Sequence, residues 1–283
     1  ALIGLKKSHP LYGWILTCEV LSHIYPVKCY YSKGLLKKYN LVNIMSINSK
    51  GDGYLITLAG TIGAGKTEWG KVIAKHFGVD LLEEKVDGNP FLAKYYDDPE
   101  RYSFHLQVFF LNHRFKAIKS AMAHPNSVLD RSIYEDAMIF ARLQFENGSM
   151  DKDEYDTYLE LHENMMEELH DLYKQQVLYK KSPDLMVLVH GSFDEVMRRI
   201  RRRGRYYEQI EGNPGLLKYY EDLYNMYEKQ FLSEYEDKEI SPVYTIDIDK
   251  MDIYEPEHVK EVLAGIEETL KNNRGFVHPE ELE

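Results

Sequence analysis

Residues 54–78 read YLITLAGTIGAGKTEWGKVIAKHFG, and no other stretch of the chain restricts its fold so strongly. An apolar run at 54–59 has the length of a buried strand and leads straight into a glycine-rich loop. Residues 66–78 follow with Trp69, Val72, Ile73 and Phe77 on one side of a helical spacing and Gly78 as a stop. Between them Gly60, Gly65, Lys66 and Thr67 fill the pattern G-x-x-x-x-G-K-[ST]. Glycines let successive backbone N–H groups turn inward around phosphate oxygens. The lysine offers a charge to the β- and γ-phosphates, and the threonine hydroxyl a ligand for Mg²⁺. A strand, this loop and a helix in sequence imply a bound nucleoside triphosphate. They leave open whether the phosphate passes to water, to another phosphate or to a hydroxyl.

Beyond the loop, strand and helix patterns alternate. Strands are expected at 54–59, 80–84, 126–130, 185–190 and 243–247. Helices are expected at 66–77, 104–122, 133–146, 152–174, 193–203, 215–232 and 257–272. Five short apolar strands separated by helices predict an α/β domain with a five-stranded parallel sheet flanked by helices. Ligands in such sheets bind beyond the carboxyl ends of the strands, so the residues after each strand carry the chemistry.

Three strand ends are informative. Glu83 and Glu84 close the second strand. A carboxylate there serves a kinase whose acceptor is a hydroxyl, because it takes the proton; the alternative is a pair of solvated strand-end charges. Asp130 closes the third strand and is followed by Arg131. An acid at this place holds Mg²⁺ in P-loop proteins. An arginine next to it, rather than a second acid, suits a small-molecule phosphotransferase; a structural ion pair is the plainer reading. Residues 198–205 contain six arginines in eight positions. Such a segment reads as a lid that closes cations over the transferred phosphoryl group, or as a solvated basic helix face.

Charge sets limits on partners. The net charge of −11 argues against general binding of nucleic acid or anionic membrane. Residues 1–52 differ from the rest: seven lysines against two acidic residues give +5, leaving −16 for the remainder. Their apolar stretches, 11–21 and 41–45, are shorter than the ~18 residues of a membrane span. Residues 1–52 therefore read as a basic leader outside a catalytic domain at 53–283, with Met45 as a candidate natural start; a regulatory or targeting arm is the sharper alternative. The two cysteines, Cys18 and Cys29, both lie in this leader, in no zinc or disulfide pattern, which fits a cytoplasmic location.

The segments GTIGAGKT, EKVDGNP (84–90), YYDDPERYSFHLQVFFLNHRF (95–115), DRSIYED (130–136) and RRRGRYYEQ (201–209) occur in an order that resembles the deoxynucleoside kinases, in particular the bacterial deoxyadenosine, deoxyguanosine and deoxycytidine kinases. The resemblance runs from about Tyr54 to about Asp252. It implies a P-loop kinase fold with an Arg-rich lid, a homodimer, ATP as phosphate donor, Mg²⁺, and the 5′-hydroxyl of a deoxynucleoside as acceptor. It implies binding of ATP by Gly60, Thr61, Ile62, Gly63, Ala64, Gly65, Lys66 and Thr67, with Arg199, Arg203 and Arg205 from the lid. Glu84, in a Glu-x-Val segment with Val86, matches the general base; Lys85 stands where the family usually has proline. Arg131 matches the residue beside the 5′-hydroxyl, and with Glu84 and Lys66 completes the implied catalytic set. Thr67 and Asp130 match the Mg²⁺ side. Tyr96 and Glu208 match the pair on the sugar 3′-hydroxyl, Gln107 the residue that hydrogen-bonds the base, Arg114 and Asp136 a second polar pair at the base edge, and Phe140 an aromatic packed on the base.

The helical spacing fits a base site as well. Gln107 and Arg114 are two turns apart and share a face with Phe110 and Leu111. Polar groups in an apolar stripe need partners, and a planar base provides them. Gln107 offers a donor beside an acceptor, which suits adenine and cytosine. Deoxyadenosine is expected as preferred substrate, deoxycytidine and deoxyguanosine as seconds, and thymidine as a poor one. A thymidylate-kinase-like enzyme and a catalytically silent nucleotide-binding subunit are the rival readings; the first would not need Glu84, and intact Lys66, Asp130 and Glu84 speak against the second.

Overall fold

The computed structural model describes residues 53–273, apart from 85–87, 125 and 212. The leader, Lys85 and Val86 lie outside the described residues. Five parallel strands form one sheet in the order β2-β3-β1-β4-β5: β1 Leu55–Ala59, β2 Asp80–Leu82, β3 Ser127–Asp130, β4 Leu185–His190 and β5 Val243–Asp247. The central strands are buried and mostly apolar because both faces are covered. Period-two alternation divides them. Leu55, Ala59, Leu129, Met186 and Leu188 enter one core. Ile56, Leu58, Val128, Leu185, Val187 and Val189 enter the other.

The first core is closed by α3 (Pro99–Ala123) and α5 (Lys152–Lys174), through residues such as Leu111, Ile118, Tyr158 and Leu169. The second is closed by α1 (Lys66–Phe77), α6 (Phe193–Arg203) and α9 (Pro256–Asn273), through Trp69, Ile73, Val196, Ile200 and Ile266. Local signals set the helix ends. Gly78, at φ 65°, stops α1. Asp98 caps α3 with Pro99 at its first position. Asp151 and Glu154 form a reciprocal capping box on α5.

The five expected strands are all present, the second ending at Leu82, so that Glu83 and Glu84 lie just past it. Helix boundaries differ more. A short helix, α2 (Leu92–Asp97), was not expected, and α3 begins at Pro99 rather than at 104. The expected helix 133–146 is a wide π-type turn at Asp136–Ala141 followed by α4 (Arg142–Glu146). The expected helix 215–232 is α7 (Pro214–Met226), which continues through a second π-type turn at Tyr227–Phe231 into α8 (Leu232–Asp237). Periodicity does not register the extra residue of a π turn, and such turns collect at functional sites. Among the described residues no helix is long and apolar enough to cross a membrane.

Candidate functional site

A cleft of about 1130 Å³ opens beyond the carboxyl ends of the strands. The loop after β1 forms its floor. Gly60 has φ 141°, and a Cβ there would stand 2.2 Å from the backbone oxygen of Val189, so only glycine fits between β1 and β4. Ile62, Gly63, Gly65, Lys66 and Thr67 line the cleft, whereas Gly60, Thr61 and Ala64 are buried behind that lining. Lys66 Nζ donates to the carbonyls of Gly60 at 2.8 Å and Thr61 at 2.9 Å. Burial, and then the neighbouring Arg131, lower its pKa to about 7 against the opposing pull of Glu135, Asp130 and Glu84.

The Thr67 hydroxyl donates to Asp130 at 2.5 Å. Burial is the main cause that raises the Asp130 carboxyl above its ordinary range. A hydroxyl and a carboxylate side by side are hard oxygen donors of the kind that Mg²⁺ accepts; Thr67 comes from the first turn of α1 and Asp130 from the end of β3. The residues present thus fit that ion.

The acceptor side is a chain of ion pairs. Glu84 pairs with Arg114 and lies 3.2 Å from Arg131 Nε. Burial alone would raise the Glu84 pKa; Arg131, then Arg114 and Lys66, outweigh it and hold the carboxyl at about 2. Arg114 pairs in turn with Asp136, which is fully buried and reaches the cleft only through that arginine. The guanidinium of Arg114 lies over Phe110 at 4.8 Å and Phe140 at 5.8 Å, and that of Arg131 over Phe140 at 4.6 Å. Gln107, one face along α3, is 4 % exposed, lines the cleft, and has no partner for its side-chain oxygen. A buried acceptor without a partner costs about 1–3 kcal/mol, so this position favours a ligand that donates a hydrogen bond.

The remaining wall belongs to the arginine segment. Val196, Met197 and Ile200 anchor α6 to the core and leave its arginines on the cleft side and in solvent. Arg199 donates to Glu195 at 2.7 Å and to the carbonyl of Ala64 at 3.1 Å, which ties α6 to the phosphate loop. Glu208 accepts from Arg203 at 2.6 and 3.0 Å and from Arg205 at 3.3 Å. Tyr96 lines the same region and packs its ring against Tyr207 at 5.2 Å.

Glu84, Tyr96, Gln107, Arg114, Asp130, Arg131, Phe140, Arg199, Arg203, Arg205 and Glu208 therefore all meet around one cleft with the phosphate loop. Sequence reasoning passed over three features. Phe110 was noted as a neighbour on the Gln107 face, not as a cleft residue. The segment after β5, including Ile248, Asp249 and Tyr254, lines the cleft; the strand-end rule could have flagged it. Glu135, fully buried, accepts from the Gly60 N–H at 3.1 Å, the Ser132 N–H at 2.8 Å and Arg131 Nη1 at 2.9 Å, and from the Tyr227 hydroxyl. Its place four residues after Arg131 was the one available hint; Tyr227 gave none.

Comparison with known proteins agrees with this geometry. A family model described as deoxynucleoside kinase matches residues 56–271. The chain is 44% identical over 223 residues to the deoxyguanosine kinase of Lactobacillus johnsonii, covering 78% of this chain and 95% of that protein. It is 40% identical over 218 residues to the deoxyadenosine kinase of Lactobacillus acidophilus, covering 77% and 96%. Among solved structures it is similar to deoxyadenosine kinase from M. mycoides with bound dCTP, at a TM-score of 0.57 and 27% identity, over 77% of this chain and 99% of that one.

The fit of Gly60 against β4 generates a prediction. In Gly60→Ala the new methyl group meets the Val189 backbone oxygen, and the loop must shift at a cost of about 1–3 kcal/mol. Affinity for ATP, measured calorimetrically, is expected to fall roughly ten- to hundredfold. Unchanged affinity would mean that the loop bends freely there.

Proposed function

The chain belongs to the deoxynucleoside kinase family, and we propose that it transfers the γ-phosphoryl group of ATP to the 5′-hydroxyl of a deoxynucleoside, with deoxyadenosine preferred. The carrying observation is the position of Glu84 and Arg131, in contact with each other, between the phosphate loop and the aromatic slot of Phe110 and Phe140. A kinase acting on a phosphate has no use for that carboxylate; one acting on a hydroxyl does.

In this reading the 5′-hydroxyl gives its proton to Glu84 as its oxygen bonds to the γ-phosphorus. The bond from that phosphorus to the β–γ bridging oxygen breaks, and ADP leaves. The loop N–H groups and Lys66 hold the donor phosphates. Arg131 stands beside the acceptor oxygen, and Arg199, Arg203 and Arg205 form the lid over the transferred group. Thr67 and Asp130 would hold Mg²⁺, which neutralises charge on the phosphates. Substrate that takes hydrogen bonds from Arg131 and Arg114 relieves Glu84 of its partners and raises its basicity. Tyr96 and Glu208 hold the 3′-hydroxyl. Arg114, backed by Asp136, and Gln107 meet the base edge, with Phe140 on its face. The unpartnered Gln107 oxygen suits an amino group such as that of adenine, and the two Lactobacillus relatives are named for purine deoxynucleosides. Deoxyguanosine and deoxycytidine follow as second substrates, and thymidine as a poor one.

The panel of four deoxynucleosides with ATP tests the substrate order; thymidine outranking deoxyadenosine would remove Arg114 and Asp136 from the base site. Glu84→Gln is expected to lower kcat by about 10² or more while nucleoside binding is largely kept. Near-normal turnover would move the base role to Glu83.

The depressed Glu84 pKa has a kinetic signature. A carboxylate held at about 2 stays ionised above that pH, and its charge is lost only as pH falls through that value. The kcat/KM profile, which reports the free enzyme, is expected to show no acid limb from Glu84 near the ordinary glutamate value of about 4.5. In Arg114→Gln a limb should move upward into measurable range.

The reading includes a homodimer, in the cytoplasm, joined through α3 and α5. The half-exposed Val177 and the partly buried Phe115, which share a shallow groove beside α3, support such a contact. A particle mass of one chain at micromolar concentration would reject it. The same reading takes residues 53–283 as the catalytic domain and residues 1–52 as a leader that is not part of it.

A further inference from the structure

Arg131 has a backbone φ of 100°, which non-glycine residues rarely adopt. Its guanidinium is divided between two sides. Nε faces Glu84 at 3.2 Å. Nη1 is taken on the other side by Glu135 at 2.9 Å, the Tyr227 hydroxyl at 3.1 Å and the Gly60 carbonyl at 3.3 Å. Glu135 Oε1 receives three donors: Arg131 Nη1, the Tyr227 hydroxyl and the N–H of Gly60. Its Oε2 receives the N–H of Ser132. One fully buried carboxylate thus holds the first glycine of the phosphate loop, the arginine on the acceptor side, and the π-type turn at Tyr227–Phe231.

The structure assigns to Glu135, supported by Tyr227, the role of positioning residue for phosphoryl transfer: it locks Arg131 and the phosphate loop into one frame. The assignment rests on the proposed place of Arg131 beside the 5′-hydroxyl. Its physical basis is the number of donors. Four donors converge on two oxygens, and only a carboxylate presents acceptors at both. In a glutamine the amide NH₂ opposes either the Ser132 N–H or the three donors at Oε1. The charge matters too, because a buried guanidinium that loses a carboxylate partner is left undercompensated. Arg131 is then free to leave its strained conformation and to turn wholly toward Glu84, which removes it from the acceptor oxygen and blunts the base. A defect of this kind acts on the transition state more than on substrate binding.

The test compares Glu135→Gln, Tyr227→Phe, Arg131→Ala and the double variants. Glu135→Gln is expected to lower kcat about 10- to 100-fold with KM for the nucleoside changed less than about threefold. Tyr227→Phe should give a smaller loss in the same direction. Added guanidinium ion should partly restore turnover to Arg131→Ala and fail to restore it to Arg131→Ala/Glu135→Gln, because the carboxylate that seats the ion is gone. If Arg131→Ala turns over at the wild-type rate, the role of Arg131 itself is wrong and the inference goes with it. If Arg131→Ala is impaired but Glu135→Gln is not, the inference alone fails. Equal rescue in both backgrounds, or a loss that vanishes on cooling well below the melting temperature, makes Glu135 a stability residue only. Should Glu135→Gln fail to fold, Arg131→Ala/Tyr227→Phe takes its place, with weaker rescue expected; rescue equal to that of Arg131→Ala overturns the assignment.

Discussion

Arg131 carries a full charge into the interior at 6 % exposure, and much of the site follows from compensating it. A buried cation that loses a partner costs about 3–5 kcal/mol, so carboxylates must come to it from separate elements. Glu84 arrives from the chain beyond β2 and Glu135 from the turn after β3. Because these meet at one guanidinium, the end of β2, the end of β3 and the phosphate loop cannot shift independently. The ion-pair chain continues from Glu84 through Arg114 to Asp136. It runs along the cleft wall from the proposed site of chemistry to the proposed site of the base, and ends on the fully buried Asp136.

The same economy explains the aromatic residues. A guanidinium sheds hydration less reluctantly than an ammonium and stacks on rings. Phe110 and Phe140 face Arg114, and Phe140 also faces Arg131. These rings let two arginines sit in an otherwise apolar slot. On the opposite wall the arginines are more exposed and are held by acids of their own, Glu195 and Glu208. Glu208 itself is buried, at 3 % exposure, so it anchors Arg203 and Arg205 from below while their guanidinium groups stay partly open to solvent.

Legibility in the sequence follows the range of the interaction. The loop, its strand and its helix are read from contiguous residues, since glycine torsions and apolar spacing are local properties. The five strands are legible for the same reason: each is an apolar run bounded by turns. The second ends at Leu82, where the apolar run gives way to Glu83 and Glu84. Helix α2 was hidden because six residues are too few to show a period, and the π-type turns at 136–141 and 227–231 because an inserted residue leaves no mark on hydrophobicity.

The sequence by itself determined the fold class, the phosphate loop and the set of polar residues that gather at the cleft, because those depend on short patterns and on motif order. It could not decide every pairing. The family resemblance already coupled Arg114 with Asp136, a pair the structure contains, yet only the folded chain brings Glu84, 30 positions away, against the same arginine. Nor could it mark Glu135, whose partners Gly60 and Tyr227 lie 75 and 92 residues distant. Charge compensation in a low-dielectric interior is settled by distance in space, and distance in space is a product of tertiary packing.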